Sequence, residues 1–63
     1  MKVKVEGKGE VDLPDKSDVN TLIRELGHHI DSVIVLNDGE PVPDDAEIKE
    51  NEEYRVISVV SGG

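Results

Sequence analysis

The sequence contains no cysteine, tryptophan or phenylalanine, and Tyr54 is its single aromatic residue. The lack of cysteine excludes a disulfide framework, a thiolate metal site and a thiol nucleophile. The shortage of aromatics removes the stacking platform on which single-stranded nucleic acids are held. Positive charge is scarce as well: 7 Lys and Arg stand against 15 Asp and Glu, a formal net charge of −8. A surface of that sign repels phosphate backbones, so nucleic acid is not expected as a partner, whereas encounter with a basic protein surface is accelerated. Long apolar runs are missing too. Val33 to Leu36 and Val56 to Val60, the latter interrupted by Ser58, fall far short of the ~20 residues that cross a bilayer, so no membrane association is expected. Met1 to Glu6 alternates apolar and charged residues and has no apolar leader core, which makes a cytoplasmic protein the expectation. A chain of 63 residues builds one domain with a small core. It is too short to enclose a complete active site, so a monomeric protein without catalytic residues of its own is expected.

What is present reads as alternating strands and one helix. Val3 and Val5 alternate with Lys2, Lys4 and Glu6, Gly7-Lys8-Gly9 breaks the run, and Val11 and Leu13 resume it before Pro14. This pattern predicts a hairpin with one wet face. Asp15 to Asp18 supplies an N-cap, Ser17 or Asp18, to a helix whose apolar face is Val19, Leu22, Ile23 and Leu26, with Gly27 at its C-terminal cap. The helix is about ten residues long and must bury that face across the hairpin to persist. Val33-Ile34-Val35-Leu36 is apolar on consecutive residues, which predicts a central strand buried on both faces or nearly so. Asn37-Asp38-Gly39 is a turn, and Pro41 and Pro43 confine any strand around Val42 to a short edge piece. Asp44 to Asn51 forms a loop or single helical turn with Ala46 and Ile48 inward, and Tyr54 to Val60 is the last strand. The fold class is therefore α+β: a β-grasp with a mixed four- to five-stranded sheet and one helix packed across one face. Residues 1–60 form that domain and residues 61–63 a flexible tail.

The tail holds the most informative residues, Gly62 and Gly63, which follow the β-prone segment through Ser61 alone. Extended, Ser61 to Gly63 reach ~10 Å, and without a Cβ to obstruct them they can thread a narrow channel into another protein. The group delivered is the α-carboxylate of Gly63, ionised at neutral pH with a reference pKa near ~3.5. Its oxygen can attack the α-phosphate of ATP to give an acyl-adenylate, from which sulfur or an amine displaces AMP. ATP and its Mg²⁺ must be supplied by the activating partner, since the sequence has no G-x-x-x-x-G-K-[ST] loop and Gly7-Lys8-Gly9 is only a turn.

The succession of the helix Val19 to Leu26, the segment Val33 to Pro43, an acidic stretch, Val56 to Val60 and Ser61-Gly62-Gly63 resembles the ThiS/MoaD branch of the ubiquitin-like proteins. The small archaeal modifier proteins are similar. The resemblance covers essentially the whole chain, and its most specific elements are Gly62-Gly63 and the Asn37 to Pro43 segment. It departs from the thiamine-type carriers at Asp44, where they often carry arginine, and at Asn51-Glu52-Glu53, where the carriers place an Asp-Gly-Asp-like turn. The resemblance implies that an E1-like, zinc-containing adenylating enzyme acts on Gly63. The product is then a thiocarboxylate that donates sulfur to a synthase or to tRNA thiolation, or an amide to a lysine of a target protein. A non-conjugated interaction module is the remaining class of function.

Other residues offer less. Val35, Ile57 and Val59, with Ser61 beyond them, form a candidate docking patch of the kind ubiquitin-like proteins present, although core packing competes for the same residues. His28, His29 and Asp31 do not close a metal site, because adjacent side chains diverge and no further His or Cys exists. Glu47, Glu50, Glu52 and Glu53 lack the apolar surroundings that raise a carboxyl pKa, and Asp38, Asp44 and Asp45 lack calcium-loop spacing. No bound metal or cofactor is expected.

Overall fold

A computed structural model describes residues 1–59 of the chain. Five strands and one helix follow in the order β1 (Lys2–Val5), β2 (Gly9–Asp12), α1 (Val19–Glu25), β3 (Val33–Asn37), β4 (Glu40–Val42) and β5 (Glu53–Ser58), with a 3-10 turn over Ile30–Ser32. The sheet order is β2-β1-β5-β3-β4. Neighbours run antiparallel except β1 and β5, which are parallel, so the sheet is mixed, as the β-grasp arrangement requires. The domain boundary expected after residue 60 and the tail of residues 61–63 lie outside the described residues.

Local chemistry explains each element. Lys8 donates its amide to the Val5 carbonyl at 2.9 Å, closing the β1–β2 hairpin. Asp18, in extended backbone, caps α1 by accepting from the Thr21 amide at 2.9 Å and the Thr21 hydroxyl at 2.8 Å. Ser17, the other candidate, is buried and donates its hydroxyl to the Pro14 carbonyl instead. At the far end Gly27, with φ +80°, takes the left-handed conformation. It lets the His28 amide reach the Ile23 carbonyl and its own amide reach Arg24, which satisfies two carbonyls of the last turn. Asp38 and Gly39 both have positive φ, 57° and 84°, the requirement of the two-residue turn that matches strand twist between β3 and β4.

The core lies between α1 and one face of the sheet. Leu22, fully buried, and Val19 and Ile23 from the helix meet Val3, Val5, Val33, Val35 and Tyr54 from the strands, with Leu13 and Ile48 closing the ends. The Tyr54 hydroxyl is satisfied by the Lys49 amide at 3.0 Å. Two sequence expectations need correction. The central strand is β5, not the Val33 to Leu36 segment, and β3 is buried on one face only, since Ile34 is 45% exposed. The reason is architectural: a single helix covers a single face, and no second layer exists among the described residues to cover the other.

Candidate functional site

The Gly62-Gly63 pair and Ser61 fall outside the described residues, so the site is built from the surface that precedes them. Strand β5 carries the chain through Ser58 to Val59, whose amide donates to the Ser32 carbonyl at 2.7 Å. The ladder thus holds the chain to within four residues of Gly63. Ser32 ends the 3-10 turn that brings Ile30 beside the same region.

The outward face of β3 and β5 is apolar. Ile34 stands directly opposite Ile57 and Leu36 opposite Arg55. Ile34, Ile57 and Val59 are 45%, 39% and 46% exposed. Val35, one of the candidate docking residues, is 2% exposed and packs in the core against Val42 and Val56, its register partners. It therefore cannot dock a partner. Side chains alternate between faces, so on β3 the outward position next to Ile57 belongs to Ile34. Sequence reasoning missed Ile34. Val33 to Leu36 is apolar on four consecutive residues and shows no alternation, so the outward position emerges only from its pairing with β5.

The other half of the outward face is charged, with residues of opposite sign set across from one another in register. Lys2 lies opposite Asp12, Lys4 opposite Glu10 on one side and Glu53 on the other, and Arg55 Nε is 3.5 Å from a Glu6 carboxylate oxygen. Cross-strand pairs of this kind stabilise a sheet by fractions of a kcal/mol, roughly 0.2–1. Beside them Ile34, Ile57 and Val59 form an exposed apolar patch.

The remaining candidates do not assemble. His28 is engaged through its backbone in capping α1, and no group of three His, Cys, Asp or Glu placed for a metal ion occurs among the described residues. Glu6, Asp38, Glu52 and Glu53 border an open hollow of about 530 Å³ together with Arg55, at the end of β5 opposite Val59. Its carboxylates face solvent. The Thr21 amide, then the Thr21 hydroxyl, hold the Asp18 carboxyl below the usual carboxylate value. That effect belongs to the helix cap.

The family model for small archaeal modifier protein 2 matches residues 1–60. The chain belongs to that family. The small archaeal modifier fold is also seen in the crystal structure of SAMP1 from Haloferax volcanii. The match has a TM-score of 0.59 and 19% sequence identity, and covers 98% of this chain and 97% of that one. At that identity the likeness shows the fold, a ubiquitin-like β-grasp with a five-stranded mixed sheet and one helix. The family match spans every described residue, the apolar β3–β5 face included.

Proposed function

We propose that this small archaeal modifier is a protein substrate activated at the Gly63 carboxylate by an E1-like adenylating enzyme. Membership of the modifier family, in a sequence that carries Ser61-Gly62-Gly63 after the last strand, is the observation that supports this reading. A Gly63 carboxylate oxygen attacks the α-phosphorus of ATP, the bond to the β-phosphoryl oxygen breaks, pyrophosphate leaves and an acyl-adenylate forms. ATP and Mg²⁺ belong to the enzyme. Glycine at both final positions removes the side-chain bulk that would otherwise hinder approach of the backbone to the phosphate.

The body supplies orientation. Val59 is fixed to Ser32 at 2.7 Å, and the four residues beyond it reach at most about 14 Å. An enzyme that grips Ile34, Ile57 and Val59 therefore receives the carboxylate within a short, defined radius. Holding reactants in this way converts a collision into a unimolecular step.

Two fates share the adenylate. The family's description as protein modifiers favours attack by a target lysine, which forms an amide and releases AMP and a proton. The Asn37 to Pro43 segment, similar to the thiamine-type carriers, favours attack by sulfide, which gives a thiocarboxylate with the same leaving group. Incubation of the full chain with ATP, Mg²⁺, a candidate E1-like enzyme and either sulfide or a lysine-bearing target, followed by mass spectrometry, tests the reading. Lysine carrying a Gly-Gly remnant supports conjugation, and replacement of one terminal oxygen by sulfur supports carriage. A carboxylate unchanged with every such enzyme contradicts both and leaves the non-conjugated interaction module.

A further inference from the structure

Strand β5 outlasts its neighbour β1. Alternate residues of β5 bond to opposite sides: Arg55, Ile57 and Val59 turn to β3, where Leu36, Ile34 and Ser32 stand opposite and the Val59 amide reaches Ser32 at 2.7 Å. Glu52 and Tyr54 turn to β1, accepting from the Lys4 amide at 3.1 Å and from the Glu6 amide at 2.9 Å. Val56 and Ser58 continue that second series. By then β1 has ended at Val5, and Gly7, with φ +83°, turns the chain back so that the Lys8 amide closes on Val5 at 2.9 Å. Among the described residues, the amides and carbonyls of Val56 and Ser58 have no main-chain hydrogen-bond partner.

Two successive bonding positions, at two-residue spacing, thus lie open on one edge of β5. The β1–β2 turn bounds them at one end, and the strand runs on to Val59 at the other. An unpaired edge of this kind accepts an added strand. A segment laid along it, in line with β1, meets the amide and carbonyl of both residues. Its side chain opposite Ile57 falls on the outward face, beside Ile57 and Val59, which are 39% and 46% exposed. An aliphatic residue there extends the apolar face already described. The edge also has a direction. Gly63 lies five residues beyond Ser58 in the sequence, a reach of at most about 18 Å, so a strand seated on Val56 and Ser58 sits close to the place where the carboxylate reacts. Two bonding positions alone do not join two copies of the chain, since stable interfaces bury roughly 800 Å² on each partner.

We infer that the activating enzyme adds an extended segment of its own, with an aliphatic side chain opposite Ile57, to the edge of β5 at Val56 and Ser58. This rests on the activation reading and deepens it: the main chain of β5, as well as its apolar side chains, sets the register in which the C-terminus enters the enzyme. Val56 and Ser58 act as positioning residues and make no bond to the reacting carboxylate.

The chain is short enough for total chemical synthesis, so the Ser58 nitrogen can be methylated. That change removes a donor with no main-chain partner among the described residues, and the melting temperature is expected to hold. Methylation at Val59 breaks the bond to Ser32 and is expected to lower it. In ATP–pyrophosphate exchange with an E1-like enzyme, methylation at Ser58 should raise the KM for the chain at least about threefold with kcat little changed, the scale of one lost main-chain bond. Amide hydrogen exchange gives an independent readout. In the isolated chain Val56 and Ser58 should exchange faster than Ile57 and Val59, and both should slow about tenfold or more on the enzyme. An unchanged KM, or Val56 and Ser58 left unprotected by an enzyme that supports pyrophosphate exchange, overturns this inference alone. Protection in the isolated chain that grows with its own concentration assigns the edge to a second copy and also overturns it. A chain that supports no pyrophosphate exchange overturns the activation reading and this inference together.

Discussion

Val59 donates its amide proton to the carbonyl of Ser32 at 2.7 Å, extending the β3–β5 ladder one pair beyond Val33 and Ser58. That bond joins two features that matter for function. It secures the chain where it departs towards Gly63, and it fixes which side chains of β3 and β5 face outward. The chain at Val59 and the outward apolar positions Ile34 and Ile57 therefore belong to one ladder.

Charge placed on the outward face should impair activation without unfolding the domain. Ile34→Asp and Ile57→Asp, made singly, remove side chains that are 45% and 39% exposed, so unfolding free energy is expected to fall by under about 1.5 kcal/mol. The kcat/KM of the E1-like enzyme for the chain is expected to drop at least about tenfold, the scale of a central interface residue. Paired chemical denaturation and pyrophosphate-exchange measurements check this.

The opposite pattern is expected one position along β3. Val35→Ala empties space in a site that is 2% exposed and should cost about 2 kcal/mol, whereas Ile57→Ala should cost under about 1 kcal/mol. Equal urea midpoints for the two variants would contradict the assignment of faces.

Asp18→Ala removes the acceptor of the Thr21 amide and hydroxyl and should lower the melting temperature at neutral pH. The Asp18 carboxyl is held below its ordinary value of 3.8 in the folded state, so its contribution is present above that value and is lost as pH falls through the folded-state pKa. The difference between wild type and Asp18→Ala should therefore be constant at neutral pH and shrink in strong acid. Asp18→Asn keeps a capping oxygen and should lie between the two at pH 7.

Gly39 sits at φ +84° in the β3–β4 turn, and nothing lies within 4 Å of the point a Cβ would occupy. Gly39→Ala is thus penalised by backbone conformation and not by collision, and is expected to cost about 1–2 kcal/mol. Thermal melts of this variant, with the β4 amide shifts as a local reporter, test the turn assignment.

Much of this fold is legible in the sequence because its signals are local. Asn37-Asp38-Gly39 demands the turn that is found, Pro41 and Pro43 place β4 at an edge, and Val19, Leu22 and Ile23 mark the buried face of α1. The position of β3 is not legible, because Val33 to Leu36 is apolar on four consecutive residues and shows no alternation. Its outward face emerges only from long-range pairing with β5, which also lies parallel to β1. The same difficulty put Val35 on the docking surface in place of Ile34. Gly62 and Gly63 are conspicuous in the sequence, whereas the outward position of Ile34 is a matter of tertiary geometry.

Activation of the Gly63 carboxylate is measured most directly by ATP–pyrophosphate exchange with an E1-like enzyme, comparing the full chain with a chain lacking Gly63 whose fold is verified by its amide spectrum. The full chain is expected to support exchange, and the shortened chain, equally folded, to abolish it. Exchange that persists undiminished without Gly63 would contradict the account.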